Sequence, residues 1–125
     1  MNALHMLPTP VYLASPYSRY ERGHTGAYLD ICRLAARIHR KYKIVLFSPI
    51  AHCHGMTTHG DLPVIDHQFW RRFNAPFVDM CGGCLVAKMI GWENSAGIKD
   101  EIDDFRAAKK TVLFVEPDSL EISIT

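Results

Sequence analysis

Four acidic side chains near the carboxyl end of the chain are the first candidates for chemistry: Asp100, Glu101, Asp103 and Asp104. Apolar residues around them recur at the spacing of one helix face, at Ile98, Ile102, Phe105 and Ala108. Glu101 falls on this apolar stripe, and the other three acids fall on the side expected to face solvent. Because a buried carboxylate is costly unless it is paired, Glu101 is a candidate nucleophile or acid–base group. The alternative is a glutamate at the edge of the stripe that reaches solvent.

Ser95 stands just before this predicted helix. Serine is a favoured helix cap, and the free backbone N–H groups at a helix start also bind anions. The position therefore predicts either a plain cap or a contact to an anionic group of a ligand.

The elements that must position these residues follow from hydrophobic periodicity. Strands are predicted at Val11–Ala14, 43–47, 84–89 and Thr111–Val115, with an edge strand at 120–124. Helices are predicted at 21–42, 64–80 and 98–110. We expect Pro76 to kink or split the second helix. Residues 48–63, which hold Gly and Pro breaks and three histidines, are predicted to be a long loop.

This alternation predicts an α/β fold, a single-domain flavodoxin/Rossmann-like parallel sheet of four to five strands with helices on both faces. In such sheets ligands bind at the C-terminal ends of the strands. A site is therefore expected among the turns at 15–19, 48–54 and 91–97.

Composition limits the possible partners. The 125 residues are 48% hydrophobic and 22% charged, with a formal net charge of +1, which is typical of one globular domain. So small a charge favours neither a nucleic acid nor a membrane surface as partner. No apolar run approaches the roughly 20 residues of a membrane span, and the amino terminus does not resemble a signal peptide. We expect a cytoplasmic protein with reduced cysteines.

Three segments together resemble a known family. They are Val-Tyr-Leu-Ala-Ser-Pro-Tyr-Ser at 11–18, Gly-Trp-Glu-Asn-Ser-Ala-Gly at 91–97 and Ile-Lys-Asp-Glu-Ile at 98–102. Their order and position resemble the nucleoside 2-deoxyribosyltransferase superfamily, which includes the nucleoside 5'-monophosphate N-glycosidases. The form of the second and third segments is closest to a small, mostly uncharacterised branch of it.

The resemblance implies roles for particular residues. Glu101 matches the nucleophile that attacks the sugar anomeric carbon, and Tyr12 matches the tyrosine that orients it. Ser95 matches a serine that meets a 5'-phosphate in the monophosphate hydrolases, where the transferases tend to carry an acid. A hydroxyl at a helix start accommodates a phosphate that a carboxylate would repel. The resemblance therefore implies a nucleoside 5'-monophosphate as substrate.

Further substrate contacts are implied in the same two loops. Ser15, Ser18 and Arg19 match a region that often lines the sugar-phosphate pocket, and Gly97 closes the second motif. Arg19 is expected either to pair with a phosphate or to be a surface charge. Trp92 is expected either to stack on the departing base or to pack against the sheet.

One departure concerns the leaving group. Asn74 falls where an aspartate of the superfamily commonly assists protonation of the departing base. Asparagine donates a hydrogen bond but cannot act as a general acid. Either Asp66 or Asp79 substitutes, or leaving-group activation is weaker, or the activity differs.

Cysteine and histidine spacing offers a different class of function. Cys81 and Cys84 form a C-x-x-C, and His52, His54, His59 and His67 could supply zinc ligands. The second C-x-x-C of a zinc site is missing, and the pair does not open a helix as a redox motif does. We therefore expect no metal and no cofactor.

The resemblance implies an N-glycosidase, either hydrolase or transferase, that cleaves the base–sugar bond of a (deoxy)nucleoside 5'-monophosphate and so binds a small nucleotide or nucleoside. A non-catalytic nucleotide-binding module is the first alternative, and a thiol or zinc protein the second. Arg71, Arg72, Lys109 and Lys110 are too scattered for a nucleic-acid surface. Clustered aromatics at Phe69, Trp70 and Phe73 predict an interface, and the resemblance implies a homo-oligomer, a dimer or larger.

Overall fold

A five-stranded sheet forms the centre of the fold in the computed structural model, which describes residues 2–125. The strands are β1 (Val11–Ala14), β2 (Leu46–Phe47), β3 (Gly83–Ala87), β4 (Thr111–Val115) and β5 (Ile122–Ser123). Their order is β2-β1-β3-β4-β5, in which the first four are parallel and β5 runs antiparallel to β4. The predicted α/β class with a mostly parallel sheet is confirmed.

Helices cover both faces of this sheet. They are α1 (Gly23–Tyr42), α2 (Pro49–Gly60), α3 (His67–Met80) and α4 (Ala96–Ala107), with short 3-10 helices at Ala3–Met6 and Trp92–Asn94. Alternate side chains of β1 point to opposite faces. Val11 and Leu13 pack into the core formed with α1, whereas Tyr12 packs into the core formed with α3 and α4. Among residues 2–125, no helix is long and apolar enough to cross a bilayer.

The predicted loop at 48–63 is wrong, because most of it is helix α2. The Ser48 side chain accepts a hydrogen bond from the backbone N–H of Ala51, and Pro49 occupies the first helical position. This is a favourable helix start, since proline lacks only an N–H that would be unpaired there. Gly55 and Gly60 are one reason for the wrong prediction, because glycine is typical of loops and disfavours a helix.

Several other boundaries differ from the prediction by a few residues, and those of β2 and α3 have a clear cause. Strand β2 is shorter, because Lys43 ends α1 in the left-handed conformation (φ 58°) and residues 43–45 stay outside the strand. Helix α3 begins at His67, where the Asp66 side chain accepts a hydrogen bond from the N–H of Phe69. Pro76 lies inside α3 without splitting it.

The sheet has its topological switch point between β1 and β3. After β1 the chain crosses to β2 on one side, and it returns to form β3 on the other side of β1. The loops that follow β1 and β3 therefore diverge above the C-terminal edge, where open α/β sheets form their ligand crevice. Tyr12 lies in register with Cys84 across this point.

Candidate active site

A buried tyrosine and a glutamate meet at the switch point. Glu101 lies in the second turn of α4 and faces the sheet, as the apolar stripe through Ile98 and Phe105 predicts. Tyr12 is fully buried on the face of β1 that α4 covers. The Tyr12 hydroxyl donates a short hydrogen bond to Oε2 of Glu101. Strand β1 and helix α4 thus hold a phenol and a carboxyl group together although 89 positions separate them in sequence.

The environment of Glu101 favours its protonated form. Burial raises the pKa of Glu101 to about 8; the Tyr12 hydrogen bond acts against this, and the charges of Asp104 and Asp100 add to it. Near neutral pH the carboxyl therefore populates both protonation states. Burial, followed by the Glu101 charge, also raises the pKa of Tyr12, so its hydroxyl stays a hydrogen-bond donor. A carboxyl poised in this way can act as a nucleophile or exchange a proton.

A cavity opens beside this pair at the C-terminal edge of the sheet. Its walls come from the loop after β1 and from helices α2, α3 and α4. Seven of the residues assigned from sequence line it together: Tyr12, Ser15, Ser18, Asn74, Ser95, Gly97 and Glu101.

Two of these residues offer polar atoms with no protein partner. Oγ of Ser15 and Oδ1 of Asn74 are buried and lack a hydrogen-bond partner among residues 2–125. Ser15 is only 5% exposed. Since buried polar groups are normally paired, both atoms suit a polar ligand in the cavity.

Ser95 is a helix cap as well as a cavity residue. Its Oγ accepts a hydrogen bond of 3.2 Å from the backbone N–H of Ile98 at the start of α4. The cap uses the hydroxyl as an acceptor and leaves its proton available to donate. The two interpretations of this serine are therefore compatible.

Arg19 and Trp92 lie outside the lining of the cavity. Arg19 is exposed, which matches its interpretation as a surface charge. The Trp92 ring lies 5.5 Å from the ring of Phe114, and Nζ of Lys88 lies 5.9 Å above it. Trp92 thus packs against the sheet, which leaves the stacking role without a geometric basis.

The acidic side chains beside Glu101 differ in part from the prediction that all three of them face solvent. Asp103 is exposed as predicted, but Asp100 and Asp104 are half-buried and line the cavity. Both contact Arg71 of α3, whose Nη2 lies 2.6 Å from Oδ1 of Asp104. The sequence predicts only that Arg71 is too isolated to form a nucleic-acid surface, because the contact between α3 and α4 is invisible in the sequence.

Another wall of the cavity is lined by a cluster of aromatic and histidine side chains, an arrangement that the sequence does not predict. A hydrogen bond of 2.9 Å joins the Tyr17 hydroxyl and Nδ1 of His54, and the Tyr28 ring stacks on His54 at 4.6 Å. Burial, with the nearby charges of His24 and His59, lowers the pKa of His54. A neutral imidazole held by a tyrosine is suited to hydrogen bonding. Ser48 and Pro49 are a sequence signal for a helix start, and the position of His54 on helix α2 could have been predicted from it.

Three of the four cysteines, Cys53, Cys81 and Cys84, are buried thiols, and Cys32 is half-buried. All four are free, and burial raises the pKa of Cys81 and of Cys53 to about 11. Burial also raises the pKa of Cys84 well above its ordinary value. Thiolates are the form that binds metals and exchanges disulfides, and this environment disfavours them. Within residues 2–125 no three His, Cys, Asp or Glu side chains are grouped so as to hold a metal ion.

Fold and site together define an α/β protein with a ligand cavity at the switch point of a parallel sheet and a Tyr–Glu pair inside it. The chain belongs to the family described as a domain of unknown function (DUF1937), which matches residues 9–117. The matched range runs from just before β1 to just after β4 and contains every cavity residue named above. A search among curated proteins finds no match to this chain.

Proposed function

We propose that this protein is an N-glycosidase that cleaves the base–sugar bond of a nucleoside 5'-monophosphate, with Glu101 as nucleophile. The observation that carries the proposal is the hydrogen bond from the buried Tyr12 hydroxyl to Glu101 inside the cavity. A positioned carboxylate stabilises an oxocarbenium-like transition state, as in retaining glycosidases. The resemblance of the three segments to the nucleoside 2-deoxyribosyltransferase superfamily supports the same chemistry.

The reaction has two steps in this proposal. The ionised Glu101 oxygen bonds to the anomeric carbon while the bond to the base nitrogen breaks, and the base leaves with the electron pair. Water then attacks the anomeric carbon, which releases the sugar phosphate, frees the Glu101 carboxylate and liberates one proton. An acceptor base in place of water gives transfer instead. Tyr12 orients the carboxylate throughout and keeps its own proton.

The leaving base must also take up a proton. Of the two aspartates considered for this role, Asp66 lines the cavity, whereas Asp79 lies outside the lining. Asn74 lines the cavity too, and its Oδ1 has no hydrogen-bond partner among residues 2–125, so it could accept a hydrogen bond from the base or sugar. We assign Asp66 as the proton donor and Asn74 as a binding group.

The phosphate is assigned to the start of α4. Ser95 and Gly97 line the cavity there, and the backbone N–H groups of a first helical turn favour an anion. Asp100, which would oppose it, is paired with Arg71. Arg19 is exposed and has no part in this assignment.

The experiment is chromatography of free base released from ribo- and deoxyribonucleoside 5'-monophosphates and from the matching nucleosides. Glu101→Gln is compared with Glu93→Gln, which makes the same change at an exposed glutamate. Release from a monophosphate that persists in Glu93→Gln and is lost in Glu101→Gln supports the proposal. Absence of release from every compound, with or without an acceptor base, contradicts it.

A non-catalytic nucleotide-binding module is the second candidate. Asn74 favours it, because an amide cannot donate a proton to the departing base. Binding of a nucleotide, measured by calorimetry, without any release of base would establish this function instead.

We also propose that the protein is a cytoplasmic homo-oligomer. Val64 and Ile65 are 39% and 60% exposed at the rim of the cavity, next to the half-buried ring of Trp70. Exposed apolar surface of this kind is typical of interfaces. Light scattering of the purified protein tests the assembly, and a monomer at all concentrations would contradict it.

A further inference from the structure

Arg71 forms an ion-pair cluster on the cavity wall that the reaction above does not use. Its Nε and Nη2 donate to the two carboxylate oxygens of Asp104, at 3.1 and 2.6 Å. Its Nη1 lies 3.6 Å from Oδ1 of Asp100. One guanidinium of α3 thus contacts two carboxylates of α4.

The two aspartates flank the buried glutamate on its own helix. Asp100 precedes Glu101 directly and Asp104 follows it by nearly one turn, and all three line the same cavity. Like charges so close disfavour ionisation of Glu101. Both aspartates act in that direction, raising the pKa of Glu101.

Folding stability is a weak explanation for the cluster. The Arg71 side chain remains 49% exposed, and ion pairs on a surface contribute little to stability because water screens them. The ion pairs of Arg71 have a more direct effect on the Glu101 carboxyl, which the two aspartates flank.

We propose that Arg71 is a positioning residue of the site, which neutralises and fixes Asp100 and Asp104 and so keeps the Glu101 carboxyl able to ionise near neutral pH. The inference rests on the proposed function only for its catalytic consequence. The electrostatic effect itself is a property of the protein without substrate.

The other groups around Glu101 supply no comparable positive charge. Strand β1 contributes the Tyr12 hydroxyl, which donates to the carboxylate. Strand β3 contributes Cys84, and α2 contributes Cys53, both kept as thiols because burial raises their pKa. Helix α2 also contributes His54, whose pKa is lowered, chiefly by burial.

On the α3 side, Asp66 and His67 are exposed at the start of the helix. Of the residues 2–125 that line the cavity, Arg71 is the one lysine or arginine. Its guanidinium is therefore the permanent positive charge on this wall.

The test is direct titration of the Glu101 carboxyl by ¹³C NMR of the substrate-free protein, with the signal assigned through Glu101→Gln. Arg71→Met should move the midpoint up by roughly half a pH unit or more, because Asp100 and Asp104 then act on Glu101 without a positive charge beside them. Arg71→Lys, which keeps the charge, should move it less. Arg72→Met changes an exposed arginine on the same helix and should leave the midpoint in place.

A second pair of variants separates charge from structure. Asp104→Asn should lower the midpoint, and Arg71→Met combined with Asp104→Asn should bring it back toward the native value. A midpoint unchanged in Arg71→Met, or unaffected by adding Asp104→Asn, would overturn the proposal. Base release by the native protein is scored separately, so shifted midpoints without any base release would reject the glycosidase function and retain the role of Arg71.

Discussion

The Tyr12 hydroxyl on β1 donates a hydrogen bond to the Glu101 carboxyl on α4, at the point where the sheet reverses its strand order. Tyr12 is fully buried and Glu101 is half-buried, and the cavity reaches both side chains. The hydrogen bond favours the ionised form of Glu101 and so acts against burial and the charges of the two neighbouring aspartates, all of which raise the pKa of this carboxyl. The predictions below follow from this pair and from the cavity residues around it.

Tyr12→Phe should slow base release at neutral pH and restore part of it at high pH. Losing the hydrogen bond raises the pKa of Glu101 further, so the ionised nucleophile forms only at higher pH. We expect kcat/KM to fall by roughly tenfold at pH 7, the cost of about one pKa unit, and the acidic limb of the pH–rate profile to move upward. Tyr20→Phe, at a tyrosine that donates to Asp30 outside the cavity, is the control. A profile with an unmoved acidic limb would contradict the prediction.

Glu101→Gln should make the protein more stable than the native form at alkaline pH. The pKa of Glu101 is raised from an ordinary 4.5 to about 8, so the folded state holds a proton that the unfolded state has lost. This contribution is fully present below pH 4.5 and is lost as the pH rises through 8. At pH 9 the variant should gain on the order of a few kcal/mol in free energy of unfolding, and little at pH 5. Urea unfolding at both values measures the difference, and an equal effect at both would count against a buried ionisation.

Asn74→Asp should raise the rate of base release if leaving-group protonation limits the reaction. A carboxyl group at this lining position restores a general acid, which typically contributes about a hundredfold or more when it is well placed. We expect a more modest gain of about tenfold, because Asp66 already lines the cavity. Single-turnover kinetics measure the chemical step. Asn2→Asp, at a cap remote from the cavity, is the matched control, and an equal rate in both variants would remove Asn74 from the explanation.

Ser95→Asp should exchange monophosphates for free nucleosides as the preferred substrates. Aspartate caps a helix as well as serine does, so α4 should remain intact, but its charge repels a phosphate. Ser95→Asn keeps a cap without the charge and is the control. We expect kcat/KM on monophosphates to fall by roughly 10-fold to 100-fold in the aspartate variant alone, about 1.4 to 2.7 kcal/mol. Parallel losses on nucleosides would show that Ser95 acts only as a cap.

Hydrophobic periodicity was sufficient to predict most of the fold. The continuous apolar runs of β1 and β4 and the apolar stripes of α1 and α4 are local patterns, and the structure has elements at all four places. Helix α2 was not predicted, because its buried face, formed by Pro49, Cys53 and Thr57, carries no large apolar side chain and Gly55 lies inside the helix. Where local pattern is weak, packing against the neighbouring helix and strand decides the conformation.

The sequence by itself determined that Glu101 is the one carboxyl group of α4 on the apolar stripe, because helical spacing places it there, and left open whether it reaches solvent. The sequence also placed two segments after the ends of strands, where ligand sites form: the loop after β1 and the turn that holds Ser95 and Gly97. The family resemblance implied that Tyr12 meets that carboxyl, but hydrophobic periodicity does not show which distant groups reach it, and the tertiary structure decides that. Tyr12 contacts it through sheet order, and Arg71 pairs with its two neighbours through the packing of α3 on α4. Such contacts depend on how elements cross in space, and single-sequence periodicity carries no information about that.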